Sequence, residues 1–206
     1  MKSLGVALTL AVTLSACSTA STAAQTAAPI PATARPAATS VVVPTSVVAT
    51  TPAPASSCPP SAAAATPTRA TITLTGGTIV FTLLADKAPL TVKNFIDKSR
   101  ACFYDNLTFH RVEPSFVIQG GDPRGNGTGG NQTLPTEPSD VKFDKGTVGV
   151  ARGGDPKISN DAQFFICTGQ CQHLNGLYTV FGRVTAGQNV ADAVKVGDRI
   201  QSIRVQ

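Results

Sequence analysis

The run "ATITLTGGTIVFTLL", Ala70 to Leu84, alternates apolar residues with threonine on both sides of Gly76-Gly77. Alternation with period two places one face of a strand against a core, and a two-residue glycine connection between two such runs predicts a β-hairpin. Further short runs follow: "NLTFHRV", "SFVIQG", "GTVGVAR", "AQFFICT", "TVFGRV" and "IQSIRVQ", separated by loops rich in Gly, Pro and Asn. Only two segments carry a helical period. In "APLTVKNFIDKSR", Pro89 suits a first helical turn while Val92, Phe95 and Ile96 share a face; a second short helix is expected in "GQNVADAVKV". Many short strands with only two helices predict a mainly β fold, a closed or nearly closed antiparallel barrel.

Composition divides the 206 residues into unequal parts. From Cys17 to Thr68 nearly every residue is Ala, Thr, Ser, Pro or Val, with Arg35 the sole charge. Such a segment has no aromatic residue and no periodic apolar face to pack, so residues 17–68 are expected to be a disordered tether and 69–206 the folded domain. A chain of some fifty such residues has an r.m.s. span of about 40 Å. Before it, "MKSLGVALTLAVTLSAC" has a lysine, an apolar run too short to cross a bilayer, and small residues ending in Cys17. That layout predicts a signal peptide over 1–16. "LSAC", Leu14 to Cys17, resembles the bacterial lipobox, which implies lipid attachment at Cys17 and a lipid-anchored, extracytoplasmic domain in the cell envelope.

The formal charge of +5 does not indicate a nucleic-acid partner. Lys2 and Arg35 lie outside the domain, leaving 15 basic against 12 acidic residues, scattered singly without a basic run. Nucleic-acid binding calls for clustered cations with interleaved aromatics. Cys58, Cys102, Cys167 and Cys171 permit two disulfides in an oxidising compartment, with three pairings open. "CTGQC" has the wrong spacing for common zinc or redox motifs, and no metal or cofactor is expected. "GNGTGG", Gly125 to Gly130, formally satisfies a dinucleotide-binding pattern, but the prolines of "NQTLPTEPSD" prevent the helix whose N-terminus would receive a pyrophosphate. Its glycines instead suit positive φ angles and close backbone approach.

"FHRVEPSFVIQGGD", Phe109 to Asp122, offers a guanidinium, a carboxamide and aromatic surface, but no activated nucleophile. Hydrolytic triads, zinc-protease motifs and acid-rich metal loops are absent from the sequence. Rotation about an X-Pro bond needs none of these. Its barrier of about 18–20 kcal/mol reflects amide resonance. As the bond twists, the imide nitrogen pyramidalises and gains a lone pair, so a guanidinium aimed at it binds the twisted form better than the planar one. Arg111 supplies the cation, Phe116 a surface for the pyrrolidine ring, and Gln119 an anchor for a peptide carbonyl. His110 and Arg111 are adjacent in a strand and point to opposite faces.

Together, "FHRVEPSFVIQGGD", "GNGTGG", "GVARG", "AQFFICT" and "LNGLYTVFGRV" resemble the successive motifs of cyclophilin-type peptidyl-prolyl isomerases, in order and across nearly all of Arg69 to Gln206. The resemblance implies a closed eight-stranded antiparallel barrel capped by two α-helices, with Arg111 as the catalytic guanidinium and His110 and Gln119 as catalytic residues beside it. It also implies that Phe116, Val117, Phe165 and Leu174 line a proline pocket and that Gln163 shares a wall with Gln119. Ala151 and the backbone of Arg152 then flank the peptide groove, and Tyr178 closes one side. His173 stands where cyclosporin-sensitive members carry tryptophan, Val117 where methionine is usual, Arg152 where asparagine is usual, and Tyr178 where many eukaryotic members have histidine. The implied partners are proline-containing unfolded or exported polypeptides, and a monomer is expected. The rival expectation is a membrane-tethered module that binds proline peptides without catalysis.

Overall fold

The computed structural model describes residues 67–206. The expected signal segment, lipidation at Cys17, Cys58 and all but the last two residues of the tether lie outside the described residues.

The first hairpin pairs β1 (Arg69–Leu74) with β2 (Gly77–Leu83) in antiparallel register, Ile72 opposite Ile79 and Leu74 opposite Gly77. The two-residue connection is therefore Thr75-Gly76, one position earlier than the glycine pair suggested. Gly77 is already a strand residue. Helix α1 (Pro89–Arg100) begins with proline at its first turn, and Val92, Phe95 and Ile96 are buried as their spacing required. Its N-cap, Ala88, has no side chain to satisfy the free amides. Glu137, from a distant loop, accepts from Leu90 N at 3.0 Å and Thr91 N at 2.8 Å, placing a carboxylate at the positive end of the helix.

The remaining elements are β3 (Arg111–Glu113), β4 (Val117–Gly120), β5 (Gln132–Pro135), β6 (Thr147–Arg152), β7 (Ile158–Cys167), a 3₁₀ turn (Gln172–Leu174), β8 (Val180–Ala186), α2 (Gln188–Ala193) and β9 (Ile200–Val205). All strand pairs are antiparallel, in the order β3-β4-β7-β6-β8-β2-β1-β9, with β5 on β7. The result is a curled antiparallel sheet with two helices. Among the described residues it has nine strands rather than the expected eight, and β3 and β9 at its ends do not pair as strands. The segment ahead of β3 meets the first residue of β9 instead: Asn106 N donates to Ile200 O at 2.7 Å, and Ile200 N to Leu107 O at 2.8 Å. The extra strand, β5, contains Pro135, which a strand paired on one edge tolerates.

Strand alternation sorts the apolar residues into two clusters. Ile118, Val148, Val150, Phe164 and Ile166 face the main core with Phe81, Phe95, Phe109 and Phe181. Their sequence neighbours Val117, Phe165 and Cys167 point the other way and join Phe143, Cys171, Leu174 and Val180 in a second, smaller cluster. That second cluster floors the candidate site.

Candidate active site

β3, β4 and β7 lie side by side, so Arg111 stands opposite Gln119 and Gln119 opposite Phe165. Residues in such register share one face of the sheet. β6 continues the row, with Gly149 opposite Phe165. The absence of a side chain at Gly149 has a consequence: a Cβ there would lie 2.5 Å from Phe165 Cζ and 2.7 Å from Phe143 Cε1. The two rings stack over this glycine, centroids 5.7 Å apart and 22° from parallel. Tyr178 packs edge-on against both, at 6.5 and 6.0 Å.

A hollow of about 350 Å³ opens above this floor. Ten of the twelve residues singled out from the sequence line it. Val117, Phe165 and Leu174 form its buried base, while Phe116, Ala151, His173 and Tyr178 form its sides. Arg111, Gln119 and Arg152 supply the polar rim. The 3₁₀ turn brings His173 and Leu174 to the hollow, and the Cys167–Cys171 disulfide ties that turn to β7. The His173 and Phe116 rings lie 5.0 Å apart, and the Arg111 guanidinium carbon lies 5.9 Å from the Phe116 centroid.

Arg111 is held from two directions. Its Nε lies 3.4 Å from Glu113 Oε1, and its Nη1 donates to Gln119 Oε1 at 3.2 Å. Gln119 Nε2 donates to Gln163 Oε1 at 2.8 Å, and Gln163 Nε2 donates to the carbonyls of Gly127 and Gly129 at 3.1 and 2.7 Å. These contacts orient both carboxamides: each oxygen accepts and each nitrogen donates along one line from the glycine loop to the guanidinium. Two of the five guanidinium N–H groups are thereby engaged.

Gln163 and His110 do not line the hollow. Gln163 is buried behind Gln119, a support rather than a wall. His110 falls just before β3 rather than within it, near Gly127, with both ring nitrogens buried and without a hydrogen-bond partner. Burial lowers its pKa from the ordinary value; Asp122 opposes this and Arg111 adds to it. The loop beside it folds around Asp122, whose carboxylate accepts from the backbone N–H groups of Arg124, Asn126 and Gly127. Burial opposes ionisation of Asp122, but those three donors outweigh it and hold the pKa below the ordinary value. The glycine-rich pattern thus opens no helix; β5 follows it, and Gly127 adopts φ +88°. Phe143 and the Cys167–Cys171 bridge were not anticipated as supports. Phe143 sits alone between charged residues in "VKFDKG", so no apolar period marks it.

The family model described as cyclophilin type peptidyl-prolyl cis-trans isomerase/CLD matches residues 69–205. The chain belongs to this family. Among cyclophilin-type relatives, it is 43% identical over 134 residues to peptidyl-prolyl cis-trans isomerase B of Bacillus subtilis, covering 64% of this chain and 92% of that one. It is 41% identical over 132 residues to a peptidyl-prolyl cis-trans isomerase of Synechococcus elongatus, covering 63% and 90%. A crystal structure of a Cryptosporidium parvum cyclophilin-type isomerase, solved in the presence of the dipeptide Ala-Pro, matches with a TM-score of 0.61 at 29% identity. That match covers 67% of this chain and 98% of the other.

Proposed function

We propose that this chain is a peptidyl-prolyl cis-trans isomerase in which the Arg111 guanidinium stabilises the twisted imide. Family membership supports the activity, and the observation that carries the residue assignment is a guanidinium braced at the edge of an apolar hollow. The pyrrolidine ring packs against Phe116, Val117, Phe165 and Leu174, burying apolar surface. An N–H of Arg111 left free by Glu113 and Gln119 reaches the imide nitrogen as its lone pair localises. A hydrogen bond to a charged group contributes about 1.5–3 kcal/mol, equivalent to about one to two decades in rate when it forms only in the twisted state. Gln119 and the groove edge at Ala151 and Arg152 hold the peptide on either side while the ring turns. No covalent intermediate, metal or cofactor enters this scheme.

The signal-like segment and the lipobox-like "LSAC" support a lipid-anchored, extracytoplasmic enzyme acting on exported chains, with Cys17 as the attachment point. The domain works as a monomer in this reading, since every proposed contact to the peptide comes from one chain. Exchange NMR on an Ala-Pro peptide tests the activity. The full chain is expected to accelerate cis–trans exchange, and Arg111→Ala to slow it by one decade or more. Equal rates for wild type, variant and buffer would leave a non-catalytic proline-binding module.

A further inference from the structure

We propose that Arg152 makes this enzyme selective for prolines flanked by an acidic side chain. The inference rests on the isomerase reading of the hollow and adds a substrate class to it. Arg152 ends β6 on the rim opposite β3, lining the hollow with Ala151 and Tyr178. Its guanidinium carbon sits 4.4 Å from the Tyr178 ring centroid, and that ring is itself wedged against Phe143 and Phe165. The cation therefore rests on a fixed platform. A guanidinium placed over an aromatic face keeps its edge N–H groups available for in-plane, paired recognition of a carboxylate.

Charge balance across the hollow points the same way. Arg111 has Glu113 as a close counter-ion. Arg152 forms no ion pair with a carboxylate among the described residues, and its Nε is buried without a hydrogen-bond partner. Asp155, close in sequence, accepts from Lys157 N at 2.8 Å instead. The rim thus presents a neutralised cation on one side and an uncompensated one on the other. A peptide lying over the hollow with Glu or Asp toward β6 supplies the missing anion, whereas lysine there is repelled.

The test measures cis–trans exchange by NMR, with the full chain, for Ala-Glu-Pro-Ala, Ala-Lys-Pro-Ala and Ala-Ala-Pro-Ala, and for Ala-Ala-Pro-Glu with its lysine counterpart. At one of the two flanking positions, catalysis of the glutamate peptide is expected to exceed that of the lysine peptide by about threefold or more, the scale of a partly exposed ion pair. Arg152→Gln should bring that ratio to about one, Arg152→Glu should invert it, and salt should shrink it. A wild-type ratio near one at both positions, or a preference that survives Arg152→Gln, overturns the proposal. Should wild type fail to accelerate even Ala-Ala-Pro-Ala, the isomerase reading fails separately. Kd values for the same peptides, from chemical-shift titration, then decide the selectivity by the same ratios.

Discussion

The Arg111 guanidinium donates to the Gln119 carboxamide oxygen at 3.2 Å, directly across the β3–β4 ladder. The geometry needs no long-range closure: a tight Glu-Pro-Ser-containing turn brings together two residues eight positions apart. Gln119 could still rotate and present its nitrogen, which would repel the cation. Gln163 prevents this by accepting from Gln119 Nε2 while donating to two carbonyls of the glycine loop.

Gln163→Leu should therefore lower kcat by about threefold to tenfold with little change in KM, because the lost contact positions the transition-state donor rather than the ground-state peptide. Removing a buried carboxamide also takes the side-chain donor from Gly127 O and leaves Gly129 O with Asn160 Nδ2, so stability should fall by about 1–3 kcal/mol, read as a lower melting temperature. Steady-state kinetics on an Ala-Pro peptide separate the two effects. An unchanged kcat in a folded variant would show that Gln119 keeps its orientation unaided.

Stability should decline as pH falls below about 6.5, and His110 should account for part of the slope. Burial of the imidazole lowers its folded pKa below 6.5, against the opposing field of Asp122, with Arg111 adding to the decrease. Between the unfolded and folded values the unfolded chain binds more protons, so acidification favours unfolding. The contribution is full above the unfolded pKa and is lost as pH drops toward the folded one. His110→Gln should flatten the melting-temperature profile across that window, and an identical slope in the variant would assign the effect elsewhere. A separate decline at lower pH is expected from Asp122, whose depressed pKa means stability is lost as its carboxylate protonates.

The legible and illegible parts of this site have distinct physical origins. Period-two alternation exposed β1 and β2, helical spacing exposed α1, and motif order identified most of the hollow's lining. The first hairpin turn was misplaced by one residue because either glycine of Gly76-Gly77 could sit in the turn, and only the Leu74–Gly77 pairing decides between them. β5 escaped notice because Pro135 and its polar neighbours suit an edge strand as well as a loop. The first half of β7, "ISND", hid for a similar reason: its Asn160 is buried for hydrogen bonding, accepting from Ala162 N and Gln163 N, rather than for apolar packing. His110 and Gln163 were placed at the site's edge by resemblance. The buried, supporting position of Gln163 and the half-buried place of His110 beside Gly127 follow from three-dimensional contacts that no local period records.

Cyclosporin should bind weakly. The imidazole of His173 lies 5.0 Å from the Phe116 ring, at the position where the family resemblance implies tryptophan in cyclosporin-sensitive members. A smaller, more polar ring offers less apolar surface to the macrocycle. Fluorescence or calorimetric titration should give a micromolar or weaker Kd, and His173→Trp should tighten it. Nanomolar affinity in the wild type would refute the dependence on that side chain.

Gly149→Ala should damage both the fold and the hollow, through one added methyl group. The new Cβ would stand 2.5 Å from Phe165 and 2.7 Å from Phe143, inside the closest approach that carbon atoms tolerate. Neither ring can retreat freely. Phe165 is held between β4 and β6, Phe143 N donates to Asn175 Oδ1 at 2.7 Å, and Tyr178 packs edge-on against both. Overpacking of this kind costs about 1–3 kcal/mol. Phe165 lines the hollow, and in the proposed binding mode the pyrrolidine rests on it, so strain relieved by tilting that ring should raise KM for an Ala-Pro peptide. The pairing distinguishes the glycine's role from general fragility. Ala151→Gly, two residues along β6, introduces no clash; it frees the backbone and removes one methyl group from the side of the hollow, and should lower the melting temperature by less. A Gly149→Ala protein with wild-type melting temperature and KM would mean that the ring stack can shift at no cost, and the glycine would lose its place as the support of the hollow.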